Sequence, residues 1–192
     1  MSKENTEWQR MEVLRLSNLE SNRLTKECIE SALVLLMKEK NFNEISITEI
    51  VKRAGVSRTA YYRNYASKED VLHSMVQEVV NNTAKAMGLH DPDKNLYEFW
   101  YTMFDSIKPF SETFQILLKA NFGETILYQI NKKLQEKVTE GDVKGHYQQC
   151  FWSGAVYSIL TEWVRTGMQQ TVEEMTRLCC TILAPPEPDK TI

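Results

Sequence analysis

Apolar residues recur every three to four positions along most of the 192-residue chain, and no stretch alternates at the two-residue period of a strand. The pattern predicts an all-α fold. Trp8, Met11, Val13, Leu16 and Leu19 place an amphipathic helix over residues 7–22. Cys28, Ile29, Ala32, Leu33, Leu36 and Met37 form the inward face of a second helix, Thr25 to Lys40, with Thr25 as its N-cap. Ile47, Ile50, Val51 and Ala54 share one face of a short third helix. A long helix follows from Ser67 to Met87, started by a Ser67/Asp70 capping box. Residues 88–93, GLHDPD, read as a linker. Beyond it the spacing predicts helices over Lys94–Ile107 (ended by Pro109), Ser111–Lys119 and Glu124–Glu140. A turn bracketed by Gly141 and Gly145 leads to helices Tyr147–Thr166, stopped by Gly167, and Val172–Leu183, started by a Thr171/Glu174 box. Pro185 to Pro188 stops helix formation.

The most informative stretch is Ile45–Lys68, ISITEIVKRAGVSRTAYYRNYASK. Ser46 and Glu49 form a second capping box. Gly55 supplies a tight turn in left-handed backbone that other residues enter at a steric cost. Val56 is the apolar plug between two helices, and Ser57 caps the second of them. The outer positions of that second helix then read Arg58, Thr59, Tyr62, Arg63 and Asn64, all able to donate to phosphates or base edges. Tyr61 and Tyr65, four apart, face the domain core. This is the grammar of a DNA-binding helix-turn-helix.

Thr25–Leu72 resembles the DNA-binding domain of the TetR (tetracycline-repressor-like) family of bacterial regulators. The residues that carry the resemblance are Thr25, Ile29, Ala32, Leu33, Phe42, Ile45, Ile47, Ile50, Ala54, Gly55, Val56, Ser57, Tyr62, Tyr65, Lys68, Glu69 and Leu72. Phe is more usual in the family at Tyr65, and the 24 residues before Thr25 are a longer extension than most members carry. The resemblance implies a three-helix DNA-binding domain over 25–70 after a helical extension over 1–24. A connecting helix over 71–87, a helical-bundle domain for ligand binding and dimerisation over 88–184, and a tail over 185–192 would follow. It implies a homodimer on a palindromic operator, a small-molecule effector, and repression as the commoner output. Arg58 and Thr59, at the exposed start of the recognition helix, are then placed for base edges, and Arg58 favours guanine. Thr48 is placed for a base or a phosphate. Thr25, Ser57, Tyr62 and Lys68 are placed for phosphate, Lys68 at a helix N-terminus that favours anions.

Charge sharpens this reading once it is partitioned. The whole chain carries −3, which averaged would argue against nucleic acid. Residues 25–68 hold eight basic and five acidic groups, and residues 46–68 five basic against one acidic. Residues 69–192 hold eleven basic and seventeen acidic. Positive charge is concentrated where phosphate would be met, above an acidic body.

The body is dense in aromatics from Tyr97 to Tyr128, with Trp152, Tyr157 and Trp163 beyond. Most are expected to be core, but their number exceeds what packing demands. An apolar-walled pocket is expected from Trp100, Tyr101, Phe104, Phe114, Phe122, His146 and Trp152. Tyr101, Asn121, His146, Tyr147 and Gln149 are possible polar tips. The last two helices carry apolar stripes, Phe151, Ala155, Ile159 and Trp163 on one, Val172, Met175, Leu178 and Ile182 on the other. These are either intramolecular core or an interface. The family resemblance implies a four-helix dimer interface made by Phe151, Ala155, Ile159, Trp163, Met175, Leu178 and Ile182.

No phosphate-binding glycine loop, nucleophile elbow or zinc-protease motif occurs in the sequence. Asp70 and His73 stand at i, i+3, but a closed metal site needs two more ligands. No enzyme, metal or cofactor is therefore expected. The four cysteines show no metal spacing and are expected to be buried reduced thiols. No run approaches the ~20 apolar residues of a membrane span, and MSKENTEWQR lacks the apolar core of a signal peptide, so a cytoplasmic location is expected. Two other classes compete: a helical protein-interaction module that no longer binds DNA, and a small-molecule-binding bundle. Arg58, Tyr62, Arg63 and Lys68 speak against the first, and the absence of acid–base or metal motifs speaks against a catalytic version of the second.

Overall fold

The computed structural model describes residues 3–88, 94–136 and 138–183. The expected linker from 89 onward, the Pro185–Pro188 stop and the side chains of Trp8, Met11 and Val13 lie outside the described residues. Every regular element among the described residues is helical: α1 (Lys3–Glu39), α2 (Ile47–Ala54), α3 (Arg58–Asn64), α4 (Lys68–Met87), α5 (Leu96–Ile107), α6 (Ser111–Lys119), α7 (Gly123–Gln135), α8 (Val143–Arg165) and α9 (Val172–Leu183). Short 3-10 turns at Phe42–Glu44 and Lys108–Phe110 lead into α2 and α6.

The two helices expected before the helix-turn-helix are one. Between Asn22 and Thr25 the sequence offers no glycine or proline to break the ladder. Arg23 instead bridges that point, ion-paired with Glu20 at 2.6 Å and with Glu27 one turn on. Thr25 is not a cap: its Oγ1 donates to the Ser21 carbonyl at 2.8 Å, inside α1. Ile29, Ala32, Leu33 and Leu36 are buried as expected, whereas Cys28 is exposed.

The described chain divides into two units between Met75 and Val76, within α4. The first has a core of Ile29, Leu33, Ile50, Tyr61 and Leu72. In the second, α5 packs on α9 while α8 takes α6 and α7, around Trp100, Met103, Phe104, Phe114 and Ile126. In the second unit the boundaries shift most between α7 and α8. α7 ends at Gln135, five residues before the expected end, and α8 begins at Val143 rather than Tyr147. The cause is Asp142, whose carboxylate accepts from the Gly145 N–H at 2.9 Å and starts α8 early. Gly145 thus lies in a first helical turn, not at the edge of a loop. At the far end of α8, Gly167 has φ +82°. The Met168 and Gly167 N–H groups return to the Trp163 and Val164 carbonyls, closing the helix where expected.

Candidate nucleic-acid interface and cavity

The helix-turn-helix is built from local signals that all close. Ser46 Oγ accepts from the Glu49 N–H at 3.3 Å, and the Ser46 N–H donates to Glu49 Oε2 at 3.0 Å. Lys40 Nζ adds a 2.6 Å bond to the other Glu49 oxygen. The Lys40 hydrogen bond, followed by those from Ser46, holds the Glu49 carboxyl down at about 2. Gly55, at φ +67°, ends α2, and the Val56 N–H reaches the Val51 carbonyl at 3.1 Å. Ser57 Oγ accepts from the Ala60 N–H at 3.0 Å and starts α3.

Two tyrosines fix the roll of α3. Tyr61 and Tyr65 are buried, and the Tyr65 hydroxyl donates to Glu30 on α1 at 2.7 Å. That anchorage leaves Arg58, Thr59, Tyr62 and Arg63 facing solvent. Tyr62 is braced edge-on against the Tyr61 ring at 5.4 Å. Arg58 Nη2 donates to Thr48 Oγ1 at 2.5 Å, so the first residue of α3 is tied to the first turn of α2. Ser57, Arg58, Thr59, Tyr62, Arg63 and Thr48 thus form one contiguous surface across the two helices. Asn64 stands apart, half-buried, with Nδ2 bonded to the Ala60 carbonyl at 2.9 Å. Thr25 is occupied within α1, as above.

Lys68 departs most from its expected place. Its ammonium donates to the carbonyls of Phe42, Asn43 and Ile45 at 2.7, 3.1 and 2.9 Å, and sits 4.5 Å from the Phe42 ring centroid. An ammonium has three donors. All three are spent on the turn that precedes α2.

The second unit contains a cavity of about 670 Å³, within the size range of small-molecule sites. Phe99, Met103 and Ile107 wall one side along α5, and Trp152, Val156 and Leu160 wall another along α8. Of the seven expected pocket residues, Phe114 and Trp152 line it. Trp100 and Phe104 are completely buried in the core, stacked on each other at 5.8 Å. Tyr101 stacks on Tyr97 and has its hydroxyl pKa pushed up, chiefly by the Glu173 carboxylate on α9. Phe122 precedes α7, and His146 is exposed beside Cys150 on α8. Among the suggested polar tips, Gln149 lines the cavity; it is buried with Nε2 on Asn131 Oδ1 at 3.0 Å. Helix α4, not among the expected pocket elements, adds Val80, Thr83, Ala84 and Met87 to the lining. The signal was present, since the apolar spacing of that helix continues well past the residues the helix-turn-helix needs.

The expected interface residues separate into two groups. Trp163 and Met175 are core, with Trp163 Nε1 bonded to the Gln170 carbonyl at 3.0 Å. Phe151, Leu178 and Ile182 are 56%, 51% and 65% exposed, and Ala155 and Ile159 are half-buried. Tyr147 extends the exposed row on α8.

Comparison with known proteins agrees with this architecture. Residues 29–75 match the family described as bacterial regulatory proteins, tetR family, and residues 94–184 match a transcriptional regulator C-terminal region. The chain is 25% identical over 114 residues to an uncharacterised HTH-type transcriptional regulator of Bacillus subtilis, YxbF. That match takes in 57% of this chain and 27% of YxbF, so the chain spans about a quarter of the length of the curated relative. The fold is similar to that of Lin0861 from Listeria innocua, with a TM-score of 0.67 at 16% identity over 83% of this chain and 89% of that one. It is similar also to a TetR-family regulator from Syntrophomonas wolfei, with a TM-score of 0.64 at 15% identity over 84% and 93%. With both of its units matched, the helix-turn-helix by one family model and the helical body by the other, the chain belongs to the TetR family of transcriptional regulators.

Proposed function

We propose that the chain binds a palindromic DNA operator as a homodimer and represses transcription until a small apolar molecule enters the cavity of the second unit. The observation that carries this reading is the orientation of α3. Tyr61 and Tyr65 are locked inward, so Arg58, Thr59, Tyr62 and Arg63 present one exposed row of donors. In this reading α3 enters the major groove, with Arg58 and Thr59 on base edges and Thr48 beside them. Ser57, Tyr62 and Arg63 take phosphates. Asn64 and Thr25, whose side chains are occupied, have lesser parts. Lys68 acts by holding the turn before α2 in place, and only its backbone N–H at the start of α4 is offered to phosphate.

Two copies are needed to read a palindrome, at half-sites about 34–36 Å apart. The exposed row Tyr147, Phe151, Leu178 and Ile182 supplies an apolar face for the isologous contact. Effector coupling runs through α4, whose first turns belong to the DNA-binding unit and whose last turns line the cavity. A ligand acts through that helix only in proportion to its differing affinity for the DNA-bound and free arrangements.

The experiment is a binding-site selection with the full-length protein and random duplex DNA, followed by anisotropy on the selected sequence. An inverted repeat with half-sites one helical turn apart, bound by two chains, is the expected outcome. Absence of any enriched motif would remove the DNA-reading assignment.

A further inference from the structure

The cavity divides sharply in chemistry from one end to the other. Its charged residues, Lys94, Lys133, Glu136 and Asp142, come from the segments around the ends of α7 and the starts of α5 and α8. Two are cations and two are anions. Lys133 is paired with Glu136 at 2.7 Å, and Asp142 is engaged in capping α8. From that mouth the wall along α8 runs from Gly145 to Leu160, about 22 Å at the helical rise of ~1.5 Å per residue. Past Gln149 every lining residue of α8 is apolar. Met87 and Met103 add unbranched, adaptable side chains.

One polar atom interrupts this interior. Thr83 on α4 is 8% exposed and lines the cavity, and its Oγ1 has no hydrogen-bond partner among the described residues. Several threonines elsewhere in the second unit take a local partner. Thr161, Thr166, Thr176 and Thr181 each donate to the carbonyl four residues back on their own helix. Thr83 has the same option in α4 and does not take it. A buried hydroxyl left unpaired is destabilising unless something else meets it. Gln149, also lining the cavity, spends its Nε2 on Asn131 and keeps Oε1 as an acceptor.

Resting on the reading of this cavity as the effector site, we infer that the effector is an uncharged, elongated, mainly apolar molecule with one hydrogen-bonding oxygen or nitrogen, met by the Thr83 hydroxyl. A carboxylate or an ammonium inside would find no opposite charge past the mouth, and burying an uncompensated charge is costly. At the mouth either sign meets a balanced set. A neutral head can accept from Thr83 and donate to Gln149 with no such penalty, while the apolar chain fills the remaining length.

The test uses one decyl chain with three heads, decan-1-ol, decanoate and decyltrimethylammonium, each titrated calorimetrically into the full-length protein, the alcohol below its solubility limit and the two ions below their micellar concentrations. The alcohol is expected to bind at least about tenfold more tightly than either ion, given the cost of burying charge. Thr83→Val should weaken the alcohol about threefold to tenfold, the worth of one neutral hydrogen bond, and Thr83→Ser should restore it. Thermal unfolding of the ligand-free variants checks that each still folds. Tightest binding by a charged head, or an unchanged alcohol affinity in Thr83→Val, overturns the inferred class and leaves the regulator reading standing. No binding of any of the three overturns both this class and the cavity's role as effector site, while operator binding is judged separately by the site selection.

Discussion

Lys68 Nζ lies 2.7 Å from the carbonyl oxygen of Phe42 and 4.5 Å above the ring of the same residue. With its bonds to Asn43 and Ile45, it fastens the start of α4 to the turn that aims α2. A lysine at a helix N-terminus in a basic segment reads from sequence as a phosphate ligand. The folded chain uses the same charge as an internal clamp. Lys68→Ala is therefore expected to cost about 1–3 kcal/mol of stability, because partly buried carbonyls lose their donor. Urea unfolding measures that loss. Operator affinity measured against salt should keep its slope; a slope lower by about one unit would mean that the ammonium neutralises a phosphate after all.

Arg58 offers the complementary case. It is exposed and tethered to Thr48 Oγ1 at 2.5 Å, and under the proposed function a base edge takes the place of that tether. Arg58→Ala should flatten preference at one symmetric pair of operator positions, at about 1–3 kcal/mol per half-site. Site selection with the variant reads this directly. Thr48→Val removes the tether while leaving the guanidinium, so the selected motif should survive with a smaller loss of affinity. An unaltered motif in Arg58→Ala would restrict Arg58 to backbone contacts.

The contrast between these two residues shows what was legible in the chain. Caps and turns depend on neighbours within four residues, so Ser46/Glu49, Gly55, Ser57, Ser67/Asp70 and Thr171/Glu174 all closed as the spacing required. A break expected between Asn22 and Thr25 failed because threonine is also at home inside a helix, back-bonded to Ser21. The cavity was legible only as a class of object. Of the aromatics that the density singled out, Phe114 and Trp152 line the cavity, but whether an aromatic lines a space or fills one is decided by tertiary packing. Trp100 and Phe104 fill it, while the unremarkable Thr83 lines it.

Acid sensitivity should enter through the cap of α2. The Glu49 carboxyl is held at about 2, below the ordinary 4.5, by Lys40 and Ser46. A depressed carboxyl pKa contributes stability that is fully present above the unfolded value and is lost as pH falls through the folded one. The contribution is thus intact at neutral pH and lost progressively from about 4.5 down to about 2. Glu49→Gln should flatten this part of the stability-versus-pH curve, measured by urea midpoints at stepped pH. Identical acid limbs in wild type and variant would refute the assignment.

Thiol reactivity distinguishes the four cysteines. Sequence alone suggested four buried thiols, yet Cys28 and Cys150 are exposed. Burial pushes the Cys179 thiol up to about 11 and raises that of the half-buried Cys180. Ellman's reagent on the native protein should titrate Cys28 and Cys150 rapidly, with Cys179 reacting only on unfolding. Rapid loss of Cys179, followed by peptide mapping, would show that the α5–α9 packing opens readily.

The apolar row on α8 and α9 separates assembly from stability. Phe151 and Ile182 are more than half exposed, whereas Trp163, one of the residues expected beside them, is 3% exposed and bonded to Gln170. Charge placed on the outer row should cost little within one chain but should prevent a twofold contact. Phe151→Glu and Ile182→Glu are therefore expected to give monomers by light scattering, with helical circular dichroism retained and operator affinity lost. Trp163→Ala should instead destabilise each chain by about 3–5 kcal/mol, the usual cost of truncating a large core side chain. That loss should persist in the Phe151→Glu background, since it belongs to the fold of one copy. If both glutamate variants stay dimeric at micromolar concentration, the two chains meet elsewhere, and the outer faces of α8 and α9 are not the contact that spaces the recognition helices.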